Sequence, residues 1–145
     1  MEEQLLGRKR LEQDTRRIRT LIPQLVALTS PLTSTSWDGD AFSTTAKTQI
    51  DLSSVFSVPA GVRMINAKVE IRDSGSAGNV CWLILSPNDT ASEGCIIRCT
   101  GLPNDTWTSE MMCVPCDANG DVYYQIQASG ASALDAIIQV WGYWI

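Results

Sequence analysis

The chain has 145 residues, 44% apolar and 19% charged, which suits one packed domain and excludes wholesale disorder. It contains no histidine, so Ser-His-Asp and Cys-His catalysis and every His-ligated metal site are ruled out. A formal charge of −5 argues against nucleic acid as a partner, and no run approaches the ~18 consecutive apolar residues of a membrane-spanning helix.

Glu, Gln, Leu, Lys and Arg dominate residues 1–22, and all favour helix. Leu11, Ile18, Leu25 and Leu32 recur every seven residues, and Leu21 and Leu28 add a second position three residues on. That is a coiled-coil seam in outline. Pro23 lacks the N–H that a helix interior needs, so it ends or kinks the helix. A lone helix of about 20 residues is marginal in water and needs a partner. The opening MEEQLLGRKR has no apolar h-region, so a Sec signal peptide is not expected. Six basic residues (Arg8, Lys9, Arg10, Arg16, Arg17, Arg19) against four acidic ones leave residues 1–22 at +2. The other 123 residues hold five basic and twelve acidic, for −7. A basic arm on an acidic body suggests two contact surfaces, although a solvated helix face fits the same residues.

Residues 29–48 are rich in Thr and Ser and contain Pro31, Trp37 and Gly39, the composition of an extended arm. Trp37 and Phe42 are expected to dock this arm onto a neighbour. From about Thr48 the signals are β. Ile65, Ala67, Val69 and Ile71 alternate with polar residues at the period of a half-buried strand. DSGSAGN (73–79) reads as a turn, and VCWLIL (80–85) as a central strand apolar on both faces. Short strands follow at 94–98 and 111–114. Asn119-Gly120 predicts a type I′ turn leading into a strand over 122–128. AIIQVWGYWI (136–145) closes the chain. No helical pattern interrupts this series, so the expected fold is mainly β: an antiparallel β-sandwich or jelly roll of about eight strands. The expected organisation is a helix over 1–28, an arm over 29–48 and a β-domain over 49–145. An apolar C-terminus would fray if exposed, so it is expected in the core or at a subunit interface.

Five cysteines are present. Cys95-x3-Cys99 and Cys113-x2-Cys116 have zinc-like spacing. Four residues along one strand, however, separate two thiols by about 13 Å, whereas zinc-bound sulfurs sit roughly 4 Å apart. Cys113-Val-Pro-Cys116 has redox spacing but no following helix N-terminus to activate a thiol. Small apolar core thiols are the simpler reading for all five, Cys81 included, and a disulfide between some of them stays open. Asp117-Ala-Asn119-Gly-Asp121 resembles the start of a calcium loop, yet Val122 stands where that loop needs Gly and Ala128 where it needs Glu. A hairpin turn explains the same residues. Asn88 and Asn104 open Asn-x-Thr sequons, which read more simply as polar turns. Glu93, Glu110 and Asp135 form no shared motif. No catalytic residue, metal site or cofactor is therefore expected.

The stretch from about Ser57 to Ile145 resembles the C-terminal β-domain of small trimeric virion proteins and fibre tips of tailed bacteriophages. The likeness is carried by VPAG (58–61), VEIRDSGSAGN (69–79), LSPN (85–88), GLPNDTW (101–107), VPCDANGDVYYQ (114–125) and QVWGYWI (139–145). These are turn and strand sequences, not catalytic signatures, and residues 1–50 lie outside them. The resemblance implies a homotrimer on a virion, with Leu11, Ile18, Leu21, Leu25, Trp141, Tyr143 and Trp144 buried between chains. The expected function is a capsid decoration, or cement, protein. Arg8, Lys9, Arg10, Arg16, Arg17, Arg19, Trp37 and Phe42 would hold the major capsid protein lattice. The alternative is a fibre or spike tip whose loops at 73–79, 86–94 and 101–108 bind a host surface glycan.

Overall fold

A computed structural model describes residues 7–15, 23–37, 46–90 and 94–145. Eight strands form two four-stranded antiparallel sheets packed face to face. They are β1 (Leu25–Leu32), β2 (Thr48–Ile50), β3 (Met64–Asp73), β4 (Trp82–Ser86), β5 (Cys95–Arg98), β6 (Thr108–Pro115), β7 (Val122–Gln127) and β8 (Leu134–Trp144). Sheet A has the order β1-β8-β3-β6 and sheet B the order β2-β7-β4-β5. Helix α1 covers 7–15, and the one-turn α2 (Leu52–Phe56) joins β2 to β3. Asp51 caps α2 by accepting the backbone N–H groups of Ser53 and Ser54.

Alternation along β3 creates the core. Ile65, Ala67, Val69 and Ile71 are fully buried, facing Leu83, Leu85, Ile97 and Ile126 of sheet B. Each of these Ile, Val and Leu side chains contributes roughly 1.5–3 kcal/mol by leaving water. The β-sandwich reading thus stands, with strand for strand the expected β3 alternation.

The N-terminal reading needs two corrections. Leu25, Leu28 and Leu32 do not continue a helical seam: they lie on β1, which pairs antiparallel with β8. The sheet therefore crosses the boundary expected at 28 and takes in the first part of the expected arm. Trp37 docks onto its own fold, edge-on to Tyr124 at 5.6 Å and tilted against Phe56 at 6.3 Å. Its half-buried ring packs on this core. Ile18, Leu21, Arg16, Arg17, Arg19 and Phe42 lie outside the described residues.

The Asn119-Gly120 turn forms, but not as type I′. Only Gly120 takes a positive φ (93°), while Asp117 accepts the Gly120 N–H and donates its own N–H to Asp121. That is a type I turn followed by a left-handed glycine. A Cβ at Gly120 would sit 2.7 Å from the Gly61 nitrogen, so the corner between the sheets needs glycine.

Candidate functional site

The C-terminal aromatics are arranged by a β-bulge. On β3, Asn66 faces Gly142 and Ala67 faces Val140, so Trp141 is the extra residue on β8. The bulge shifts the alternation by one. Tyr143 therefore lies opposite the buried Ile65 and packs against the core, while Trp144 lies opposite Met64 on the outer face. Of the three C-terminal aromatics expected between subunits, Tyr143 is thus the one packed against its own core. Trp141 and Trp144 remain half-buried.

Gly142 lets β1 approach. An added Cβ there would lie 2.9 Å from the Val26 carbonyl oxygen. With β1 in place, one row crosses the outer face of sheet A: Leu25, Trp144, Met64 and Pro115 on adjacent strands. Leu25 is 53% exposed, Met64 and Trp144 are partly exposed, and the terminal Ile145 is exposed beside them. Gln24 and Ile145 exchange both backbone hydrogen bonds at 3.1 Å, which pins the chain end to the point where residues 1–22 enter. Farther along the same face, Lys68 pairs with Glu70, and Ile137 and Met111 are exposed. On α1, Leu11 is 68% exposed and Arg8, Lys9 and Arg10 are all exposed.

At the opposite end of the sandwich the β3–β4, β5–β6 and β7–β8 loops meet, because β3, β5 and β7 all finish there. Buried Asp73 is their hub. Its carboxylate accepts the Gly75 N–H at 2.7 Å and the Ser129 N–H at 3.0 Å. Burial alone would raise the Asp73 carboxyl, but the hydrogen bonds from Ser129, Gly75 and Cys81 outweigh it and hold it below the usual carboxylate range. Ser76 donates to the Leu102 carbonyl, Gly101 to the Ser76 carbonyl and Ser74 to the Ala133 carbonyl. The 73–79 and 101–108 loops therefore form one surface. The 86–94 loop, expected to act with them, starts from the other end of β4. The sequence reading missed Trp107 on this surface. It is 41% exposed beneath the Arg72 guanidinium, 4.9 Å from the ring centroid, and Arg72 is ion-paired with Asp135. The three residues are distant in sequence: the β3–β8 register sets Asp135 opposite Arg72, and the β3–β6 register, with Thr108 opposite Ile71, brings Trp107 beside Arg72.

The carboxylates of the calcium-like segment are engaged by donors. Asp117 accepts the N–H groups of Asn119 and Asp121, and Asp121 accepts those of Leu52 and the Gln49 amide. Among the described residues no group of three or more Cys, Asp or Glu gathers as a metal site would require. All five cysteines are free thiols. Cys81 and Cys99 lie opposite each other just beyond the β4–β5 ladder, both fully buried. Burial and the nearby Asp73 charge push the Cys81 thiol up to about 12, and burial beside Asp117 does the same for Cys116. No protein-family model matches the chain, and no curated protein matches it in sequence.

Proposed function

We propose that this chain is a bacteriophage virion structural protein with no catalytic role: a homotrimeric capsid decoration protein. Its N-terminal segment would bind the major capsid protein lattice, and its β-body would project from the outer surface of the head. The observation that carries this reading is the apolar row of Leu25, Trp144 and Met64 at the end where residues 1–22 join the sheet. A row of large apolar side chains beside a terminal segment that carries Leu11 and Ile18 seven residues apart suits burial around a three-fold axis. The strand order supports the class. The order β1-β8-β3-β6 facing β2-β7-β4-β5 favours reading the sandwich as two Greek keys, a jelly roll of the kind that recurs in viral capsid and lectin domains.

The test adds full-length protein to capsids that lack it and measures bound copies and resistance to heating. Reversing the charge of Arg8, Lys9 and Arg10 together should strongly reduce binding while leaving the β-body folded. Unchanged binding would reject the proposed attachment surface. A deletion should stop at residue 22, since removing 1–45 would also remove β1 from its sheet.

A further inference from the structure

The outer face of sheet B has a different chemistry from the rest of the body. Strand alternation turns Leu83, Leu85, Ile97 and Ile126 inward and their neighbours outward. One row across the face is Gln127, Trp82 and Arg98 on β7, β4 and β5. The next is Gln125, Ile84 and Ile96, and the third begins with Tyr123 and Ser86. Trp82, Tyr123 and Gln125 are partly exposed, and Gln127 and Arg98 are exposed. Ile84, only 7% exposed, forms an apolar floor between them.

Charge and size together point to one kind of occupant. Residues 23–145 carry twelve acidic and five basic side chains, yet these rows contain Arg98 and no carboxylate. Lys68 and Arg72 are neutralised by Glu70 and Asp135, and Lys47 donates to Ser86 with Asp89 nearby. Arg63 and Arg98 have no ion pair among the described residues, and of the two only Arg98 lies on this face. It stands directly across from Trp82, so a ring stacked on the indole would bring its substituents to the guanidinium fork. The two full rows on three strands, with Tyr123 beyond them and Ser86 fully buried, span at most about 14 by 10 Å, roughly 140 Å². A stable protein interface needs about 800 Å² per partner. The patch is too small for a protein but fits a few sugar rings. Trp82 and Tyr123 at its two ends can stack on apolar ring faces, while Gln125 and Gln127 reach hydroxyls.

We propose that this face binds an acidic oligosaccharide. Trp82 and Tyr123 stack on separate rings, and Arg98 holds a carboxylate in bidentate contact. The site does not depend on the decoration reading, since it uses neither the N-terminal segment nor the outer face of sheet A.

The experiment titrates full-length protein with oligogalacturonate and, separately, with a sialylated oligosaccharide. Tryptophan fluorescence and calorimetry report binding, and a neutral malto-oligosaccharide of equal length is the comparison. Saturable binding of at least one acidic probe at about 1 mM or below is expected, with the neutral probe at least about tenfold weaker. Arg98→Gln, on an exposed side chain, should weaken the acidic probe by about tenfold or more and leave the unfolding midpoint unchanged. Trp82→Ala should abolish binding. Trp82→Phe, which preserves packing volume better, should restore part of it. The proposal is overturned if neither acidic probe binds, if the neutral probe binds equally well, or if Arg98→Gln binds like the parent. Saturable binding of a protein partner to this face, lost on Trp82→Ala, would also overturn it.

Discussion

Replacing Asp73 with Asn tests how the loop end of the sandwich is held. The side chain is fully buried and accepts two backbone N–H groups, from Gly75 and Ser129, as a carboxylate. Asn keeps one acceptor oxygen but turns an NH2 toward the second donor. The substitution therefore removes one charge-assisted hydrogen bond and leaves one amide N–H facing a donor. Each of these costs about 1–3 kcal/mol, giving a loss of roughly 2–6 kcal/mol at pH 7. The pH dependence is the sharper readout. The folded carboxyl is held below its ordinary value, so its stabilisation is complete above the unfolded value, near 4. It is lost as pH falls from there through the lower folded value. Urea unfolding followed from pH 7 to pH 3 should show the parent losing stability faster than Asp73→Asn, so that the gap narrows in acid. A gap that stays constant across this range would refute the claim that an ionised Asp73 anchors the loops.

Gly142→Val should push the Val26 carbonyl away and separate β1 from β8, which faster amide exchange at 25–28 with little change on β3 would reveal. Trp37→Ala removes an indole packed on Tyr124 and Phe56 and should cost about 2–4 kcal/mol by urea unfolding, near the lower part of the range for a buried aromatic because Trp37 is only half-buried. Exposed Cys113 should react with a maleimide in the native state, whereas Cys81 and Cys99 should react only on unfolding. Protection of Cys113 would mean that this part of sheet A is covered in the assembled particle.

The β-body was readable because its strands alternate cleanly. Ile65, Ala67, Val69 and Ile71 announce one face of β3, and all four are buried as that period requires. β1 was not readable. Its leucines fall at sevenfold spacing with Leu11 and Ile18, and its pairing partner β8 lies more than a hundred residues away. A one-dimensional period cannot show that distant edge, which decides for strand over helix. Pro23, which ends or kinks a helix by its missing N–H, stands two residues before β1, and Pro31 sits within an edge strand where the register with β8 shifts. The same limit applies to the surface sites. Asp135 meets Arg72 through the β3–β8 register, Trp107 meets it through the β3–β6 register, and Trp82 meets Arg98 through the β4–β5 register, none of which a period along one strand displays. Trp141 and Tyr143 were assigned to a single interface because the bulge that rotates them apart has no local signature beyond Gly142.

Sedimentation of the full-length chain over a range of concentrations weighs most directly on the claim that its exposed apolar row is shared with sister copies. A species of three chains that falls apart when Trp144 and Leu25 are both changed to Ser is the predicted result. A single chain that stays monomeric and stable as concentration rises would contradict it.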